Sequence, residues 1–457
     1  MNTSHPRRRA AARNRATGLL AAIALTSGGL AATAAPAQAA PLPGCAAIGF
    51  SPAPDTSLSD APRMVVATKV NADATPDLVV SVWQPTGASV QVMIGNGDGT
   101  FDPPVTVHTG SGSASRFAVA DFDGDAVNDL AVPDAGDQLL TILPGNGDGT
   151  FDSPVIGFAS AVTMAVVPGD FDDDGDQDLL SIGGGSSTEL LVGNGDGTFQ
   201  MPVVAGPAAW SADILVRDFD GDGDDDVAYA TSGPPTSNSV EVRLSNGDGT
   251  FAPAVSYPGD SYPEGLTAAD FNRDGKTDLA FLVPSGGTAH VLTGNGDGTF
   301  APAVAHTVGP DIDTVTSGDF NKDGKPDLVV LHDTFPGTLS LLLGNGDGTF
   351  KPPVPFNAGS GSGRVVAADF NGDGAPDLVI PRVTSHALSI VTTVCIPAST
   401  PPAVPPVKPN PTVKPKPTVE PKPAAKPKPV PAVNTKAKAK AKVQLKKIKK
   451  IKGGGVA

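Results

Sequence analysis

Between about residue 61 and residue 394 the chain alternates short apolar runs with polar, glycine-rich breaks. Phe117 to Ala120, Asp129 to Val132, Leu139 to Leu143 and Phe151 to Ile156 form one group of four such runs. Val-, Leu- and Ala-rich runs of this length between turn residues predict β-strands, and no helical period interrupts them. The grouping recurs roughly every 50 residues, a period expected of propellers and solenoids. Two polar signatures mark each unit. The first, D-F-[DN]-x-D-G-x-x-D-L, begins at Asp121, Asp170, Asp218, Asp270, Asp319 and Asp369, with an altered copy beginning at Lys69. The second, N-G-D-G-T-F, begins at Asn96, Asn146, Asn194, Asn246, Asn295 and Asn345. Asn and Gly tolerate the positive φ of tight hairpins, so the second signature joins a third strand to a fourth.

Seven four-stranded units without helices predict an all-β fold, a seven-bladed β-propeller in which each sheet is a blade and the Phe and Leu residues pack between blades. There are seven loops of the first kind but only six hairpins. Leu388 to Val394 supply the third strand of the last unit, which then lacks a fourth. Phe50-Ser51-Pro52-Ala53-Pro54 matches Phe251-Ala252-Pro253-Ala254-Val255, the start of a fourth strand elsewhere. The N-terminal segment is therefore expected to complete blade seven and close the ring. Cys45 and Cys395, the chain's two cysteines, both fall at the missing hairpin tip, where a disulfide would replace the turn. Closing so long a loop is worth about 5 kcal/mol in the chain-entropy model. A rival reading takes Leu42-Pro43-Gly44-Cys45 as a lipobox; Pro43 and the distance from the upstream apolar run argue against it.

Charge divides the chain in three. Residues 1–39 hold Arg7, Arg8, Arg9, Arg13 and Arg15 and no acid, then the apolar run Leu19 to Leu25 and Ala37-Gln38-Ala39. This pattern predicts a secretory signal peptide, and the apolar run is short for a membrane span. The Arg run fits twin-arginine export, but Ala10-Ala11-Ala12 replaces the expected apolar residues, so Sec and Tat both remain compatible. Residues 398–457 carry 15 Lys against Glu420 and many Pro, a disordered, extended cationic tail that cannot pack a core. The total of −16 hides a middle segment, predicted as the propeller over 41–397, with 12 basic and 47 acidic residues, a net of −35. Such a compact body calls for bound cations.

The first signature supplies them with a site. Acids or amides stand at positions 1, 3, 5 and 9 of a nine-residue loop. The predicted ligands are Asp121, Asp123, Asp125 and Asp129; Asp170, Asp172, Asp174 and Asp178; Asp218, Asp220, Asp222 and Asp226; Asp270, Asn272, Asp274 and Asp278; Asp319, Asn321, Asp323 and Asp327; and Asp369, Asn371, Asp373 and Asp377. Hard oxygen donors in that number suit Ca²⁺ better than Mg²⁺, giving about six structural calcium ions. Position 12 holds Val132, Ser181, Tyr229, Phe281, Val330 or Ile380 and never Glu, which with the flanking strands excludes an EF-hand. In the first copy Lys69 replaces the first ligand beside Asn71, Asp73 and Asp77, and its ammonium is expected to stand where the ion would.

These loops, together with the N-G-D-G-T-F hairpins, resemble the FG-GAP/VCBS repeats of bacterial secreted proteins and of the integrin α-subunit propeller, over roughly residues 45–396. The resemblance implies a seven-bladed ring, calcium at the loop positions and a role in adhesion or ligand binding. Lys69 and Ala126 depart from the pattern.

Strand parity sends the acidic loops and hairpins to one face and the remaining connections to the other, where Gly206 to Asp213, Tyr257 to Gly265 and Asp333 to Gly337 differ from blade to blade. Variable loops on a rigid frame are where recognition usually sits. Trp210, Tyr257 and Tyr262, with Trp83 near another connection, are candidate contacts for a glycan or protein ligand, or else padding against the blade rims. The six His are scattered without metal spacing, and no nucleophile elbow is present. The expectation is a secreted, monomeric binding module and not an enzyme, with no nucleic-acid partner and no transmembrane segment. An extracellular polysaccharide lyase or hydrolase with its site on the variable face is the alternative. The tail is read as an anchor to anionic wall polymer, as a segment folded onto the acidic ring, or as a solubilising extension.

Overall fold

The structure, a computed structural model, describes Cys45 and residues 47–396 apart from short segments at 85–86, 111–115, 135–138, 159–162, 184–186, 208–210, 232–237, 260–261, 334–336 and 358–362. The expected signal peptide and cationic tail lie outside the described residues.

Each blade is an antiparallel meander. In blade one Ala61–Thr68, Asp77–Gln84, Gly87–Met93 and Val105–Gly110 pair in chain order. Blades two to six repeat it over 118–158, 163–207, 211–258, 264–307 and 312–357. First strands of neighbouring blades lie against one another around the axis. Second and third strands are buried on both faces, as in the fully buried Asp278–Val283, because each blade is sandwiched between two others. Fourth strands form the outer edge and expose Val105, Val255, Val304 and Val354. The helical structure among the described residues is one 3₁₀ turn, Pro284–Gly286, in blade five.

Blade seven closes as expected. Its strands Val366–Ala368, Asp377–Arg382 and Ala387–Ile396 are completed by Ala47–Pro52, with Phe50 opposite Thr393. Thr56–Ser57 continues the same edge opposite Leu388 and Ala387. Phe50 thus holds the place that Phe350 holds opposite Gly344 in blade six. The disulfide between Cys45 and Cys395 joins Cα atoms 5.2 Å apart at the site of the absent turn.

Seven apolar clusters, one at each junction between blades, make up the core among the described residues. Five of the seven junctions are fastened the same way, Val70 standing in for the loop Phe between blades one and two. The Phe after the first loop residue meets the hairpin Phe of the next blade edge-on: Phe122 with Phe199 at 5.7 Å between ring centres, Phe271 with Phe350 at 5.6 Å, Phe370 with Phe101 at 5.3 Å. Such pairs add about 0.5–1.5 kcal/mol beyond the area they bury. Beside the rings, the second hairpin glycine donates its N–H to the carbonyl of the loop Phe, as Gly348 does to Phe271 at 3.1 Å and Gly197 to Phe122 at 2.9 Å. Gly346 and Gly348 take φ of 77° and 80°, which glycine adopts without steric cost. The last junction has no hairpin; there Phe50 meets Phe320 at 6.4 Å and the Cys45 N–H reaches the carbonyl of Asn321 at 2.8 Å.

Candidate cation loops and the variable face

The nine-residue loops connect the first and second strands of every blade. Their last residue begins the second strand, and Asp77, Asp129, Asp178, Asp226, Asp278, Asp327 and Asp377 are all buried there. Both oxygens of each are used by backbone. One accepts the N–H of the second loop residue, and the other accepts an N–H at the base of the same blade's hairpin. Phe122 and Gly145 donate to Asp129 at 2.8 and 2.7 Å, and Phe320 and Gly344 donate to Asp327 at 3.1 and 2.8 Å. In blade seven Phe370 and Thr393 do the same for Asp377. The sequence pattern marks position 9 as a ligand only. The structure gives it a second duty, tying the loop to the hairpin, which the altered copy keeps through Asp77 with Val70 and Gly95.

The remaining acids curl inward over that base. Position 1 accepts N–H groups from within its own loop, as Asp121 does from Gly124 and Ala126, and position 5 accepts the N–H two residues on, as Asp125 does from Val127. Ala126 takes a φ of 70°, so the loop keeps its turn where the repeat pattern has Gly, at the steric strain a Cβ incurs there. Oxygens of Asp121, Asp123 and Asp129 lie within 4.8 Å of one another, and so do those of Asp170, Asp172 and Asp178 and of Asp218, Asp220 and Asp226. These three clusters could hold a metal ion. In the loops of blades five to seven the third position is Asn272, Asn321 or Asn371, whose side-chain carbonyl accepts the Asp274, Asp323 or Asp373 N–H in the same way.

The electrostatics favour a cation. Burial, reinforced by neighbouring carboxylates of the loop and only partly offset by backbone N–H donors, pushes Asp129, Asp178 and Asp377 up to about 6 and Asp226 and Asp327 up to about 7. Burial, then adjacent acids, also raise Asp170 and Asp172, and one Oδ of each is buried without a hydrogen-bond partner. A hard divalent ion fits this donor set, because it neutralises the cluster and occupies the orphaned lone pairs.

Two loops depart from the pattern. In blade one Lys69 is exposed, and Asn71 Nδ2 donates to Asp73 at 2.9 Å while Thr75 donates twice to the same carboxylate. The Thr75 hydroxyl chiefly, and Lys69 among the lesser causes, hold Asp73 below its ordinary pKa despite some desolvation. An amide and hydroxyl network holds this loop, with Lys69 near enough to Asp73 to act on its carboxyl. In blade seven, Lys322 of the neighbouring loop donates to the carbonyl and carboxylate of Asp373. Burial alone would raise Asp373, but the Ala375 N–H and Lys322 outweigh it and bring the carboxyl below its usual value. Sequence reading misses this contact because the two loops are consecutive blades apart.

On the opposite face the aromatic candidates separate. Tyr262 is 55% exposed and Trp83 is 43% exposed, with the Arg63 guanidinium 5.8 Å from the Trp83 ring centre. Tyr257 turns inward: its hydroxyl accepts the Phe300 N–H at 2.9 Å and its ring lies edge-on to Phe300 at 5.5 Å. Tyr257 is half-buried, and these two contacts tie it to the hairpin of the next blade. Trp210 lies outside the described residues.

The axial channel opens on this same face in a depression of about 400 Å³. Its charged lining is Arg63, Arg116, Arg364, Asp213, Glu264 and Asp313, drawn from six blades. Asp213 is buried; it accepts the N–H groups of Ile214 and Leu266 at 2.8 and 2.7 Å and is paired with Arg364 and, at 3.9 Å, with Arg116. Burial, then the neighbouring Arg116, lowers Arg364 to about 9. No motif marks this group, since its members are isolated single residues in sequence.

A closed ring of seven blades fastened by aromatic hairpins and carrying an acidic loop on each blade defines the class, a β-propeller of the acidic-loop repeat type. The FG-GAP-like repeat model matches residues 69–132, 170–229, 218–281, 280–330 and 319–380, more than half of the chain, and the chain belongs to the FG-GAP repeat family. No curated protein matches it. Among solved structures it is similar to an Agrocybe aegerita lectin that recognises non-reducing terminal N-acetylglucosamine, with 18% identity and a TM-score of 0.50 over 74% of this chain and 86% of that one. It is also similar to the WD40 domain of Toxoplasma gondii coronin, with 10% identity and a TM-score of 0.50 over 77% of this chain and 87% of that one. At these identities the likeness is one of fold.

Proposed function

We propose that the chain is a secreted, calcium-stabilised binding module that engages an extracellular glycan or protein through its variable face, and that it is not an enzyme. The observation that carries this reading is the division of labour between the two faces. One face repeats the same loop and hairpin in blade after blade, and its carboxylates hold loops and backbone and gather into clusters that a cation would fit. The other presents connections that differ in every blade around a charged mouth, with Trp83 beside its Arg63 and Tyr262 exposed in the connection between blades four and five. A repeated structural face and a varied one are what a rigid recognition scaffold requires.

Calcium is assigned a structural role. The oxygens of positions 1, 3 and 9 approach one another in the loops of blades two to four, and Asp170 and Asp172 hold oxygens without a hydrogen-bond partner. The Cys45–Cys395 disulfide fits an oxidising compartment, and the Arg-rich, apolar N-terminal pattern supplies the export signal. The Lys-rich tail would hold the module at anionic wall polymer by salt-sensitive attraction. The lectin of similar fold adds the precedent of a propeller that binds sugar.

A glycan array probed with the full chain, with and without chelator, tests the reading. Binding to a restricted set of glycans that is lost when the ring loosens in chelator is expected. Turnover of a polysaccharide by the purified protein would contradict it.

A further inference from the structure

Five of the seven innermost strands break register at the end facing the variable side: between Pro62 and Met64, Thr163 and Ala165, Ser211 and Asp213, Glu264 and Leu266, and Ile312 and Thr314. A bulge leaves one residue unpaired and re-aims its side chain, and bulges concentrate beside functional sites. Here the skipped residues include Arg63, Gly265 and Asp313, all of which line the axial mouth. Two of the bulges therefore put a charged side chain, Arg63 or Asp313, where a regular strand would continue its ladder.

The charge gathered there runs against the rest of the ring. Between residues 45 and 396 the chain has 12 basic residues in a body of net charge −35, yet Arg63, Arg116 and Arg364 converge on this single depression. Arg116 and Arg364 both face one carboxylate, Asp213, two of whose acceptor positions are already taken by the Ile214 and Leu266 N–H groups. Two guanidiniums meet one carboxylate at the floor, while over the whole lining Arg63, Arg116 and Arg364 balance Asp213, Glu264 and Asp313. Glu264 and Asp313 stand on the same wall of the mouth, Asp313 accepting the Gly363 N–H at 3.4 Å.

We propose that this axial mouth binds the carboxylate of an acidic sugar unit, the carboxylate on Arg364 and Arg116 with Arg63 at the rim, and the ring hydroxyls on Glu264, Asp313 and Thr314. The assignment rests on the binding reading above and names its ligand class. Guanidinium forks pair with carboxylates through parallel N–H donors, which gives both strength and orientation. Burial pushes Asp313 up, and burial followed by Asp313 pushes Glu264 up; both are better suited to exchanging hydrogen bonds with hydroxyls than to holding a fixed cation. The volume of about 400 Å³ falls among small-ligand sites, which run from about 300 to 1,000 Å³. Trp83, stacked with Arg63, gives the sugar an apolar edge at the rim.

The test is a ligand-observed NMR titration of the full, calcium-loaded chain with methyl β-D-glucuronide and methyl β-D-glucoside, which differ only in the carboxylate. The glucuronide is expected to bind and the glucoside to bind at least about 10-fold more weakly. Arg364→Gln is expected to weaken the glucuronide about 10-fold or more, and the rim substitution Arg63→Ala about 3-fold or more. Equal binding of the two glycosides overturns the proposal, as does undiminished glucuronide binding by folded Arg364→Gln. Should that variant not fold, unchanged binding by Arg63→Ala overturns it. Stronger binding of a free peptide C-terminus than of the glucuronide overturns the sugar assignment. A protein that binds other glycans on the array but no carboxylated one refutes this site and leaves the binding reading standing.

Discussion

The backbone N–H of Cys45 donates to the carbonyl of Asn321 at 2.8 Å. The chain's N-terminal segment thereby bridges blades seven and six at the place where a hairpin glycine bridges every other pair. With the disulfide to Cys395 and Phe50 edge-on to Phe320 and Phe356, it is the clasp of the ring. Replacing both cysteines by Ser is expected to lower unfolding free energy by about 2–5 kcal/mol, measured by denaturant titration of the oxidised parent and the variant. An unchanged midpoint and slope would show that the clasp carries no load.

Positions 1 and 9 of a loop should separate under mutation. Asp327→Asn replaces one acceptor by an N–H₂ group facing a backbone donor, so it is expected to cost about 1–3 kcal/mol even in chelator. Asp319→Asn, at a partly exposed position, should matter mainly when calcium is present. Paired thermal melts with and without chelator check this; the same loss for both variants in both conditions would refute the two duties assigned to these residues.

Lys322 should compete with an ion in blade seven, because its ammonium sits on Asp373. Lys322→Ala is expected to tighten one calcium site severalfold by freeing a ligand and removing a like charge. Calorimetric titration reads it, and an unaltered isotherm would contradict it.

The metal-free protein should lose stability as pH rises. Asp226 and Asp327 have folded pKa values of about 7, above the ordinary carboxyl value near ~3.9. Between those values the folded state binds more protons than the unfolded state, so this contribution is present at low pH and is lost as pH climbs through about 7. Melting temperature in chelator is expected to fall from pH 5 to pH 8, whereas saturating calcium, which competes with those protons, should reverse or flatten the trend. Parallel profiles in both conditions would contradict the assignment.

Much of this was legible in the sequence because the ring repeats itself. Six copies of the acidic loop signature and an altered one at Lys69 fixed the blade number, the missing seventh hairpin pointed to the N-terminal closure through Phe50, and the cysteines followed from the gap. What escaped the sequence depends on contacts between blades or on backbone detail. The two N–H groups on Asp129 belong to residues at 122 and 145, and Lys322 reaches a loop some 50 residues away. Arg63, Arg116 and Arg364 look like scattered surface charges until bulges and ring closure bring them to one mouth. Tyr257 reads as an exposed loop aromatic because its partner, Phe300, lies in the next blade.

The most direct test of a calcium-held propeller is the thermal unfolding of the full chain in chelator, then with calcium or magnesium restored at equal concentration. The account predicts a large upward shift in melting temperature with calcium, a clearly smaller one with magnesium, and about six calcium ions bound per chain. A melting temperature unmoved by chelator and calcium alike would contradict it.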